Sequence, residues 1–184
     1  MDSHVKKLIK PIILVAVIIF VLCCFIKKPV SIDEYGSYIG YAISGVSILF
    51  VLYERFLWKV IPWNRPPVLK KHYDGMITYL LKKDVSSKKI DISVKQTWLS
   101  VRITTKTDIN SSNSIVGEII DENGESVLYY SYITNPSAVT QKTNPVQYGT
   151  CRIVLTKKCE KMQGKYWTTS QTLGDIEWIA SRKE

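Results

Sequence analysis

Residues Ile12 to Ile26 form an unbroken apolar run, and that run restricts the chain more than any other feature. With Leu8 and Ile9 it extends over residues 8–26, close to the roughly 20 helical residues needed to cross a bilayer's hydrocarbon. Lys10 sits near enough to the end to reach the headgroups with its amine. Pro11 falls in the first turn, where a missing N–H costs no hydrogen bond. A second uncharged stretch, Tyr35 to Tyr53, follows after a short loop. It predicts a second span from about Tyr35 to Trp58. Tyr35, Tyr38 and Tyr41 at one end and Tyr53, Trp58 and Trp63 at the other resemble interfacial aromatic belts. The rival reading of the first run is a secretory signal, with Lys6, Lys7 and Lys10 as its basic flank. No small-residue cleavage site follows, and the residues around Cys23 and Cys24 do not suit a lipoprotein signal.

Gly36, Gly40 and Ser44 recur every four residues and form one small-residue stripe where another helix can approach closely. Its partner is either the first span or a second copy of the chain. Three lysines precede the first span, and Arg55, Lys59, Arg65, Lys70 and Lys71 follow the second. Positive-inside counting then puts both termini in the cytoplasm, although Lys27 and Lys28 in the loop count the other way. The expected organisation is a membrane region at 1–61, a proline-stiffened linker at 62–72, and a ligand-binding domain at 73–184.

Beyond Pro66 the text changes to short segments rich in Thr, Ser, Tyr, Ile and Val. Ile90/Ile92/Val94 has the period of a half-buried strand. Asn123-Gly124 between two such segments is a hairpin signal, and Leu173-Gly174 is a second tight turn. Eight strands are expected, at roughly 73–82, 89–97, 98–105, 113–121, 126–133, 148–156, 163–170 and 174–181. The phase shift near Trp98–Leu99 reads as a bulge or corner. The fold class is therefore two N-terminal transmembrane helices followed by an all-β domain. A small antiparallel up-and-down barrel removes exposed strand edges, and a sandwich is the other arrangement. Asn135 to Gln147, the longest irregular stretch, is either a lid or a surface excursion.

The net charge of +9 divides almost evenly, with eight Lys/Arg against four Asp/Glu up to residue 65 and seventeen against twelve beyond it. A basic domain beside a membrane suits anionic headgroups or an anionic ligand. Four cysteines without metal-ligand spacing, and only two histidines, argue against a disulfide framework or a zinc site. Phosphate-binding glycine loops, nucleophile elbows and HExxH are absent from the sequence. No catalytic residues, metal or cofactor are expected, and an enzyme is not the expectation.

What the strands do carry is tyrosine, tryptophan, hydroxyls and glutamine. Alternation gives the rows Leu128/Tyr130/Tyr132, Gln147/Gly149/Cys151/Ile153/Leu155, Gly164/Tyr166/Thr168/Ser170 and Gln96/Trp98/Ser100/Arg102. Facing inward, these rows would line an interior with π-surfaces, hydroxyls and a cation, which suits a nucleobase and its phosphates. Plain strand propensity explains the same residues as core. The candidate ligand-binding residues are Gln96, Trp98, Arg102, Ser114, Tyr130, Tyr132, Gln147, Tyr166 and Thr168, with Arg102 for phosphate and Tyr130 and Tyr166 for base stacking. Arg152 is expected outside.

Two spans are followed in order by Gln96-Thr97-Trp98-Leu99-Ser100-Val101, Ser111-Ser112-Asn113-Ser114, Leu128-Tyr129-Tyr130-Ser131-Tyr132 with Asn135-Pro136, Gln147-Tyr148-Gly149-Thr150 and Gly164-Lys165-Tyr166-Trp167-Thr168, closing on Thr172-Leu173-Gly174. This order resembles the two-transmembrane, β-strand-rich effectors of CBASS anti-phage defence. The resemblance implies a reduced, lipocalin-like eight-stranded barrel that binds a cyclic di- or oligonucleotide from a partner cyclase. It also implies homo-oligomerisation and disruption of the lipid bilayer, with no DNA or RNA polymer as partner. Panoptes-type effectors share the architecture, and there the nucleotide silences the effector. One departure is Ser170-Gln171, where the family often has an arginine. The alternatives are a membrane-anchored scaffold with a filled barrel and a carrier of apolar ligands.

Overall fold

The computed structural model describes residues 3–60, 66–81, 84–107, 110–136 and 145–181. The chain divides into two compact units, Met1–Arg65 and Pro66–Glu184.

The first unit is a helical hairpin. Helix α1 spans Ser3–Lys27 and α2 spans Ile32–Arg55, ending in a single 3₁₀ turn at Leu57–Lys59. Ser31 caps α2 by accepting the Glu34 N–H at 3.3 Å, and the Glu34 carboxylate accepts the Val30 N–H in return. Asp33 and Glu34 also lie where the helix dipole favours negative charge. Ile9–Lys27 and Ile32–Arg55 are long and apolar enough to cross a membrane. The second apolar helix thus begins three residues before the expected Tyr35 and ends before Trp58. A Cβ added to Gly45 would touch Ile19 at 3.4 Å, and Ala42 is buried. A Cβ on Gly36 or Gly40 meets nothing within 4 Å. Residues 40 and 42 lie about 200° apart around a helix, so α1 packs on a face well away from the Gly36/Gly40 stripe.

The second unit is a closed eight-stranded barrel with neighbours in sequence order, β1 to β8. The strands are His72–Leu81, Asp84–Gln96, Val101–Lys106, Asn110–Glu122, Glu125–Pro136, Gln147–Val154, Lys161–Thr168 and Leu173–Ala180. Every pairing is antiparallel, and β8 returns to β1 with Tyr73 opposite Ala180. Closure leaves no unpaired edge, which settles the choice between barrel and sandwich. Asn123 and Gly124 both have positive φ, 54° and 89°, the type I′ geometry their residue types favour. The expected third strand begins three residues late. Thr97 to Ser100 is a hairpin turn closed by the Thr97 N–H to the Ser100 carbonyl, so Trp98–Leu99 is a corner. The ladder's irregularity lies between Ser114 and Val116.

One half of the barrel is solid. Ile92, Val94, Val101, Ile103, Leu128, Ile153, Met162 and Trp178 are buried together. Where the linker was expected, residues 66–71 are fastened to this half. Gln96 donates to the Pro67 carbonyl and accepts the Leu69 N–H, and the Tyr73 hydroxyl accepts the Lys70 N–H and donates to the Cys159 carbonyl. Residues 137–144, most of the stretch expected to be a lid or a surface excursion, lie outside the described residues.

Candidate functional site

The other half of the barrel is hollow. A cavity of about 400 Å³ lies toward the end carrying the β1–β2, β3–β4, β5–β6 and β7–β8 connections. Its size falls within the roughly 300–1,000 Å³ usual for small-molecule sites. Ile90, Ile176, Cys151, Tyr130 and Tyr166 make the inner surface. Closer to the strand ends come Tyr132, Tyr79, Thr105, Thr107, Ser112, Thr134, Thr168 and Thr172, with Asn110, Gln147 and Lys88. Among the described residues the inner part is aromatic and aliphatic, and the outer part is a belt of hydroxyls and amides with Lys88.

The cavity stays open partly because glycine stands opposite two of its tyrosines. Tyr132 pairs with Gly149 across β5–β6, and Tyr166 with Gly174 across β7–β8. A Cβ on Gly149 would fall inside contact distance of the Tyr132 ring, and one on Gly174 would lie 2.6 Å from Tyr166 Cε1. Each ring therefore lies down over its glycine, against the wall. Beneath the cavity, Tyr130 packs on Tyr132 and on Trp178, with ring centroids 5.9 and 6.1 Å away, and Trp178 packs on Tyr73 at 5.3 Å. Tilted aromatic contacts at such distances form a stiff floor.

Burial pushes the Tyr166 phenol up to about 12, and it raises Tyr132 and Tyr130 as well. The same desolvation pushes the Cys151 thiol up to about 12. At neutral pH these groups are uncharged, so the phenols are hydrogen-bond donors and the thiol is not a nucleophile. No carboxylate lies among the described residues that line the cavity. Among the described residues the site offers stacking surfaces, neutral donors and the Lys88 ammonium.

Five of the nine sequence-derived candidates meet here: Tyr130, Tyr132, Gln147, Tyr166 and Thr168. Four do not line the cavity. Arg102 is exposed between buried Val101 and Ile103 and points outward. The row Gln96/Trp98/Ser100/Arg102 crosses the 97–100 turn, and alternation does not survive a turn. Trp98 is buried in that turn, at the far end of the barrel. Gln96 is committed to residues 67 and 69. Ser114 accepts the Ile103 N–H through its hydroxyl at 2.8 Å, just beyond the stretch where β3 and β4 pair. Arg152 lies on the outer surface, bound to Glu122 and to the Tyr129 hydroxyl. The main omission from the sequence reading was Lys88, although it extends the inward row Ile90/Ile92/Val94 by one period.

A family model described as Cap15, cyclic dinucleotide receptor domain, matches residues 65–179. The chain is also 34% identical, over 182 residues, to a Staphylococcus schleiferi protein named CD-NTase-associated protein 15. That alignment covers 96% of this chain and 97% of the relative. With its membrane-length helices, its closed barrel and these matches, the chain belongs to the Cap15 cyclic dinucleotide receptor family, the CBASS effectors to which its motifs point.

Proposed function

We propose that this chain is an anti-phage effector whose barrel, residues 73–184, binds a cyclic dinucleotide in its cavity. The ligand would control assembly of the chain and disruption of the membrane by the two spans. The observation that carries this reading is the composition of the cavity, tyrosines within and hydroxyls and amides toward the strand ends. Base rings stack on tyrosine faces, and sugar and phosphate oxygens take neutral donors. An open cavity weighs against the filled-barrel scaffold, and its polar belt weighs against an apolar-ligand carrier. The Gly36/Gly40/Ser44 stripe supports self-assembly, since α1 does not cover Gly36 or Gly40.

In this reading both termini are cytoplasmic, so a reporter fused after Glu184 is active only there. The central test titrates the detergent-solubilised full chain with a panel of cyclic dinucleotides and follows sedimentation and dye release from vesicles. Binding accompanied by a change in assembly and leakage is expected. No binding across the panel refutes the ligand, and binding without change in assembly or leakage refutes the effector mechanism.

A further inference from the structure

We propose that Lys88 holds one phosphate of the ligand and fixes which way the nucleotide lies in the cavity. This inference rests on the cyclic-dinucleotide reading above and adds an orientation to it. Lys88 sits on β2 opposite Ile77 of β1, and both side chains line the cavity. In a closed barrel of eight strands in sequence order, β2 stands across the interior from β6. Tyr130 and Tyr132 on β5 and Tyr166 on β7 flank that strand. Three of the cavity's described tyrosines therefore lie on one wall, and the facing wall bears Lys88 beside the fourth, Tyr79 on β1.

Lys88 is half-buried, and its side chain makes no hydrogen bond or ion pair with any described residue. Its amine, the cationic group among the described residues that line the cavity, is therefore available to pair with an anion that enters. Thr105 and Ser112, on β3 and β4, line the same side and supply neutral donors. A cyclic dinucleotide carries its two phosphates in the macrocycle between two bases, so a base can lie on the tyrosines while the macrocycle turns one phosphate toward Lys88. One phosphate then lies against Lys88, with a base on the β5–β7 tyrosines. Arg102 takes no part, because it points away from the cavity.

The test uses the full chain in detergent and calorimetric titration with cyclic di-AMP, cyclic di-GMP and cyclic GMP–AMP, continuing with the tightest of them. Lys88→Met keeps the aliphatic stem and removes the charge, and Lys88→Gln serves if that variant misfolds. Affinity is expected to fall tenfold or more, Lys88→Arg to retain most of it, and Arg102→Met to stay within twofold of wild type. Raising sodium chloride should weaken the wild type more steeply than Lys88→Met, a dependence that a merely structural lysine would not produce. Wild-type affinity and salt dependence in Lys88→Met, or an equal loss in Arg102→Met, would overturn the assignment while leaving the cyclic-dinucleotide reading in place. Failure of the wild type to bind any of the three would remove the cyclic-dinucleotide reading and this inference with it.

Discussion

Adding one methyl group at Gly149 should close part of the cavity from behind. The new Cβ would overlap the Tyr132 ring, which lies flat on the glycine from the neighbouring strand. Tyr132 borders the cavity, so the room available to its ring is the ligand's own space. Gly149→Ala therefore forces a choice between strain and displacement. Overpacking of this kind costs about 1–3 kcal/mol. For a domain of the barrel's size that corresponds to a fall in melting temperature of roughly 5–15 °C. If the ring swings inward it also blocks a stacking site, and a lost base–aromatic contact weakens binding by about 1–3 kcal/mol, or about 5–150-fold. The assay pairs thermal melts of the full chain, read by tryptophan fluorescence, with calorimetric titration of a cyclic dinucleotide. The double variant Gly149→Ala/Tyr132→Leu separates the two effects. It should recover most of the lost stability, because no ring remains to collide, and it should not recover the affinity. Wild-type melting and wild-type affinity in Gly149→Ala would refute the argument that this glycine keeps Tyr132 against the wall.

Gly40→Leu should weaken self-association in detergent by fivefold or more while leaving nucleotide affinity unchanged, since the residue lies in the helical unit and α1 does not cover it; equal sedimentation of variant and wild type would remove the stripe from the assembly. Burial raises Tyr73 and Tyr166 from 10 to about 12, so between those values the folded barrel holds protons that the unfolded chain has released. Stability should then decline as pH rises from 10 towards 12, and a melting temperature that holds constant across that window contradicts the assignment. Arg152→Met dissolves the surface cluster with Glu122 and Tyr129. It should move the denaturant midpoint only slightly and leave nucleotide affinity intact, since the cluster lies on the outer surface, away from the cavity lining.

What the amino-acid order determined by itself were the features that follow from local chemistry. An apolar run of membrane length, a second beside it, and an Asn-Gly hairpin flanked by alternating segments specify two long helices and antiparallel strands without reference to anything distant. The inward rows on β5, β6 and β7 were legible for the same reason. Each is an uninterrupted strand, and side-chain period in a strand is fixed at two. That is why Tyr130, Tyr132, Gln147, Tyr166 and Thr168 fall on the cavity lining. Arg102 and Trp98 were misplaced at a turn, where period-two counting has no physical basis, and Gln96 because alternation does not tell one end of a barrel from the other. The tertiary structure alone decided where the barrel is solid and where it is hollow. That depends on which rows meet across the closed sheet: Met162 and Trp178 fill one end, while tyrosines lying on glycines leave the other open. It also decided that Lys88 faces the cavity and Arg102 faces solvent. Alternation from Ile90 already puts Lys88 on the inward row of β2; what closure added is that this row ends in the open half, across from the tyrosines of β5 and β7.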